Sequence, residues 1–182
     1  MSLHWIDQLV DEALSAIENG DNVRALAILD QVAAERPYDA TVRWLRSKIL
    51  LSMGNIEEAL TEARLSSRME PSNADAHFLL ACAAWQLDRY ELASESFESA
   101  IRMAVRDVEI TVTYARFLAA RDDHRRAEAA ACRAIELDNG NPTAWAALAA
   151  AQYGLKQHST AISNCRRALK LDPDNTYARL VM

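Results

Sequence analysis

Apolar residues recur along this chain at three- and four-residue intervals, broken about every seventeen residues by a short polar stretch. That spacing puts the apolar positions on one face of successive amphipathic helices, with turns between them. In one stretch the pattern predicts a helix over 76–87, a turn at Asp88-Arg89, and a second helix over 91–103. The pattern then repeats. Ala25, Ala59, Ala93, Ala127 and Ala161 stand 34 residues apart, each preceded by a polar or turn-forming stretch such as Gly20-Asp21-Asn22 or Asp122-Asp123-His124.

Two further sets of small residues keep the same period. Ala13, Ser47, Ala81, Ala115 and Ala149 lie twelve residues before each marker, and Val32, Ser66, Ala100, Ala134 and Ala168 lie seven after it. Side chains this small, placed where helices cross, let the axes approach to roughly 8 to 10 Å. Pro37, Pro71 and Pro173 fall twelve residues after their markers, where a proline closes one helix and opens a turn.

The unit that runs from Pro142-Thr-Ala-Trp145 through Tyr153 and Ala161 to Ala168-Leu-Lys-Leu-Asp-Pro-Asp-Asn175 resembles the tetratricopeptide repeat. Counted from it, the units are 6–39, 40–73, 74–107, 108–141 and 142–175, with a leading extension over 1–5 and the start of a sixth first helix over 176–182. Val105 and Asn139 replace the closing proline; Leu9, His77 and Thr111 replace the large aromatic found at Trp145. The resemblance implies an all-α, right-handed superhelical solenoid of helix-turn-helix repeats. Each pair shelters its apolar face against its neighbours.

In that family the first helices line a concave groove where peptides bind. The implied lining is Val10, Trp44, Phe78, Val112 and Ala146 at the fifth position of each unit. The ninth supplies Leu14, Lys48, Cys82, Arg116 and Ala150, and the twelfth Ile17, Leu51, Trp85, Ala119 and Tyr153. Trp44, Phe78, Trp85 and Tyr153, with Cys82 and Val112, would receive an apolar segment of a protein or peptide partner, and Lys48 and Arg116 its carboxylate. Aromatics and arginine are the residues that most often carry interface energy. An alternative use of the same aromatics is to pack between neighbouring first helices. The lysine, asparagine and arginine clamp with which one branch of the family grips chaperone tails is missing, because its positions hold residues such as Val10, Leu14, Asp75 and Leu79. Chaperone tails are not expected partners.

Composition narrows the picture further. Half of the residues are apolar (51%), yet no run reaches the roughly 18 uncharged residues of a membrane-spanning helix, so membrane insertion is not expected. The net charge of -6 is concentrated at the front, where residues 6–39 hold eight acids and two arginines. Nucleic acid, which binds clustered Lys and Arg, is an unfavourable partner. Cys82, Cys132 and Cys165 are odd in number and form no C-x-x-C pair, which suits a reducing, cytoplasmic setting. A periplasmic one would follow if a leader had been trimmed, since Met1-Ser2-Leu3 has the look of an expression remnant.

No glycine-rich phosphate loop, H-E-x-x-H pair or G-x-S-x-G elbow occurs, so no enzyme activity, cofactor or metal site is expected. His124 and His158, 34 apart, are expected to be structural, and the pairs Arg125-Arg126 and Arg166-Arg167 to be solvated surface. The function expected is that of a protein-interaction scaffold. Two other roles fit the same residues: the substrate-docking arm of a larger enzyme, and a self-associating scaffold. The short run Thr176 to Met182, with Tyr177, Leu180 and Val181, predicts either a piece of a longer protein or a C-terminal end covered by a second copy in a homodimer.

Overall fold

The computed structural model describes residues 4–181, and among these it contains eleven helices and no strand. They are α1 (His4–Glu18), α2 (Asn22–Glu35), α3 (Ala40–Ser52), α4 (Ile56–Met69), α5 (Ala74–Gln86), α6 (Tyr90–Met103), α7 (Val108–Ala120), α8 (His124–Leu137), α9 (Pro142–Gly154), α10 (His158–Leu171) and α11 (Thr176–Val181). Met1 to Leu3 of the leading extension, and Met182, lie outside the described residues, while His4 and Trp5 belong to α1. The helices form two compact units, α1–α6 and α7–α11. In the first, each helix packs on the next and α3 also meets α5; in the second, α9 contacts α7, α8, α10 and α11.

The period is written into the ends of the helices. Asp39, Asn73, Asp107, Asn141 and Asn175 recur every 34 residues, and each accepts a hydrogen bond from a backbone N–H in the first turn of α3, α5, α7, α9 or α11. Such a cap contributes about 1 kcal/mol by satisfying a donor that the helix leaves unpaired. It also explains why α5 begins at Ala74, two residues before the predicted start: Asn73 Oδ1 accepts from Ala76 N–H at 3.0 Å.

The turn inside each pair is equally regular. Gly20, Gly54, Asp88, Asp122 and Lys156 all adopt a left-handed backbone, with φ between 56° and 80°. The residue after each donates its N–H to a carbonyl five residues back, as Asn55 does to Leu50 and Gln157 to Gln152, both at 2.9 Å. This is the helix-ending motif that glycine favours. Only two of the five positions hold one.

All fifteen small marker residues are buried. Where a serine takes the place of alanine its hydroxyl is paired across the helix contact: Ser47 Oγ donates to the Ala59 carbonyl at 3.1 Å, and Ser66 Oγ to that of Ala40 at 2.9 Å. The prolines prove dispensable. α6 ends at Met103 and α8 at Leu137, in register with α2, α4 and α10, although Val105 and Asn139 stand where the others have proline. His77 likewise keeps a bond of its position, its Nε2 lying 3.1 Å from the Pro71 carbonyl as Trp145 Nε1 lies 2.9 Å from that of Asn139.

A β-carbon in the left-handed region costs about 1 kcal/mol. Lys156→Gly is therefore expected to raise unfolding stability by about 1 kcal/mol, and Gly54→Ala, whose added methyl meets no atom within 4 Å, to lower it by about as much. Urea unfolding followed by circular dichroism measures both.

Candidate functional site

In the first unit, α3 carries Trp44 and Lys48 and α5 carries Phe78, Cys82 and Trp85. Trp44 is half-buried against the cluster of Leu29, Val42, Leu45 and Ile49, and its indole Nε1 is buried with no hydrogen-bond partner. Lys48 is exposed and holds its ammonium 5.6 Å from the Trp44 ring centroid. Phe78 and Trp85, both half-buried, flank the fully buried Phe97 of α6 at 6.3 and 6.4 Å between ring centroids. Each aromatic thus has one side in the core and another toward solvent. Cys82, between them, is half-buried.

A charged cluster holds α3 in place. Glu62 of α4 is only 8% exposed and accepts from Arg43 Nη1 with both oxygens at 3.0 Å, while Arg46 Nε lies 3.3 Å from it and Arg46 also pairs with Asp30 of α2. Two guanidiniums of α3 are thereby tied to the second helices on either side of it, which orients Trp44 and Lys48 on the same helix.

In the second unit, Val112 and Arg116 lie on α7 and Tyr153 near the end of α9. Val112 is 5% exposed and packs with Ala134 and Ala144, so it forms wall more than contact surface. Tyr153 is 59% exposed, with its ring 5.3 Å from that of His158 and edge-on to it. Arg116 is half-buried. Its guanidinium sits 4.9 Å from the centroid of the Tyr177 ring of α11, and its Nε is buried without a partner. Burial pushes the Tyr177 hydroxyl above its ordinary range, partly opposed by the Arg116 charge, so the ring stays neutral and the contact is cation–π.

Arg116 also lines a cavity of about 370 Å3, together with Val108, Glu109, Val112, Thr113, Asp138, Asn141 and Thr143. Five of these eight residues come from α7, Asp138 and Asn141 from the turn into α9, and Thr143 from the first turn of α9 itself. Tyr177 of α11 and Asn175 just before it brace the cavity, the latter by donating from Nδ2 to Thr143 Oγ1 at 3.3 Å while its Oδ1 caps α11.

His124 and His158 are each engaged within the fold. The His124 ring lies where a β-carbon on Gly154 would come within 2.3 Å of it, which is why that position is a glycine, and its Nε2 is 3.6 Å from Asp122. Of the arginine pairs, Arg126 lies over the Tyr114 ring and hydrogen-bonds its hydroxyl, and Arg167 stacks on Trp145 at 4.0 Å from the centroid. These two are covers for first-helix aromatics, not merely solvated surface. Among the described residues no group of three His, Cys, Asp or Glu could hold a metal ion, and no helix is long and apolar enough to cross a membrane.

The caps, the left-handed turns and the tight small-residue contacts define an all-α helical repeat of the solenoid class. Models described as tetratricopeptide repeat match residues 16–81, 78–142 and 142–175, and the chain belongs to that family. It is similar to DnaJ homolog subfamily C member 3 of Homo sapiens, with 24% identity over 98 residues, 54% of this chain and 19% of that protein. The chain therefore spans about a fifth of the length of the curated relatives it matches. MamA 41-end from Desulfovibrio magneticus RS-1 superposes with a TM-score of 0.82 at 16% identity, covering 94% of this chain and 97% of the other. YrrB, a TPR protein with an unusual peptide-binding site, gives 0.77 at 19% identity, over 94% and 89%. At such identities the likeness is one of fold.

The charged cluster supplies a test of how α3 is held. Removing one partner of a buried ion pair leaves the others uncompensated. Glu62→Ala is expected to cost about 3 kcal/mol of unfolding stability, against under about 1 kcal/mol for Glu57→Ala in the exposed pair with Arg89, as measured by urea denaturation.

Proposed function

We propose that this chain docks a segment of a partner protein against the side chains of its first helices. Trp44, Phe78 and Trp85, with Cys82, offer apolar contact in the first unit, and Arg116 and Tyr153 take part in the second, where Val112 serves as wall. Each unit brings its own cation to a carboxylate of a bound segment, Lys48 in the first and Arg116 in the second. The observation that carries this reading is the state of those two cations. Arg43 and Arg46 of α3 are ion-paired, whereas Lys48 and Arg116 each rest on an aromatic ring and pair with no carboxylate among the described residues. A cation held in place by a ring and left without a counter-ion is preorganised for an incoming anion, at little further cost in side-chain entropy. The peptide-binding site named for YrrB gives a parallel within the fold.

Selection of the full chain against a displayed peptide library tests the proposal. Selected segments are expected to lose about tenfold in affinity on Trp44→Ala and on Arg116→Ala separately, in fluorescence anisotropy, with circular dichroism melts confirming that both variants fold. Segments that bind wild type and both variants alike contradict it.

A further inference from the structure

The cavity beside Arg116 holds more charge than a simple anion site needs. One guanidinium shares it with two carboxylates, Glu109 and Asp138, and among the described residues no ion pair joins them. A ligand carrying only a carboxylate would gain Arg116 and meet repulsion from both acids. A dianionic phosphate would fare worse. A ligand carrying only an amine would gain the acids but leave Arg116, with its buried and unbonded Nε, still unpaired. A segment bearing both signs satisfies all three groups.

The register on α7 sets how far apart those signs must be. Glu109 and Arg116 are seven residues apart, close to two full turns, so they share a face and are separated by about 10 Å along the axis. A polyproline II segment has three residues per turn and advances about 3.1 Å per residue, so its positions i and i+3 fall on one side about 9 Å apart. The neighbouring groups suit an extended backbone. Thr113 stands between the two charges with a free hydroxyl; Asn141 uses Oδ1 to cap α9, leaving its amide to donate; Asp138 uses Oδ1 for the Gly140 N–H, leaving Oδ2 to accept.

We infer that this cavity binds an extended segment with an acidic and a basic side chain three residues apart, the acid on Arg116 and the base on Glu109 and Asp138. The inference rests on the reading of Arg116 as the contact for a partner's carboxylate, and it adds the second charge, the spacing and the backbone form. Tyr177 acts as a positioning residue, since its ring lies 4.9 Å from the Arg116 guanidinium and holds it in place.

The test uses the full chain labelled with 15N, reading the Arg116 Nε–Hε resonance during titration with capped tetrapeptides. The probes are Glu-Pro-Pro-Lys and its reverse Lys-Pro-Pro-Glu, with Glu-Pro-Pro-Gln and Gln-Pro-Pro-Lys as singly charged controls. One of the two doubly charged orders is expected to bind about tenfold more tightly than either control, with Glu109→Gln removing most of that advantage and Arg116→Gln, followed through the backbone amide resonances of α7, abolishing binding. If Glu-Pro-Pro-Gln binds as tightly as the better doubly charged peptide, the paired-charge inference falls while the carboxylate reading stands. If no peptide moves the Arg116 resonance, both fall. Loss on Tyr177→Ala with retention on Tyr177→Phe supports the positioning role, and equal binding by both removes it.

Discussion

The structure depends on helices that come close because the side chains between them are almost absent. In every pair the crossing is made by alanine, by serine with its hydroxyl bonded across the contact, or by one valine, and all of these are fully or nearly fully buried. A contact of this kind buries little area per residue, so a single pair has too small a core to fold alone and draws its stability from the next. It also dictates where bulk can go. Large residues are displaced from the crossings to the flanks of the first helices, where Trp44, Phe78, Trp85 and Tyr153 stand with part of each ring toward solvent.

The two units use those flanks differently. The first sets aromatic rings around Phe97 and holds α3 by the ion cluster on Glu62, giving a mainly apolar face with Lys48 above Trp44. The second replaces the aromatics at the matching positions with Val112 and Ala146, which sink below the surface, and a polar cavity forms beside Arg116 instead. One fold thus carries two chemistries. Family membership settles the scaffold; these side chains bear on what it holds.

The period was legible in the residue spacing because a helix crossing tolerates few residue types, so selection by volume leaves a mark in one dimension. The cap ladder of Asp39, Asn73, Asp107, Asn141 and Asn175 is just as plain in the sequence, and it moves the start of α5 back to Ala74. The contacts that shape the site were not legible. Glu62 meets Arg43 and Arg46 from a different helix, Arg167 finds Trp145 from 22 residues away, and Tyr177 reaches Arg116 from 61 away; no local pattern encodes such pairings. Val112 shares a repeat position with Trp44 and Phe78, yet its smaller side chain lets it sink against Ala134 and Ala144. The cavity beside Arg116 draws two of its lining residues, Asp138 and Asn141, from a turn, where repeat position says least about side-chain direction.

The claim that small side chains set the helix spacing is tested most directly by adding volume at one crossing and at one control position. Ala81 of α5 has no exposed surface, whereas Ala129 of α8 faces solvent. Unfolding stability measured in urea is expected to fall by about 3 kcal/mol for Ala81→Leu and to change by less than about 0.5 kcal/mol for Ala129→Leu. Equal, small effects at the two positions would contradict the account.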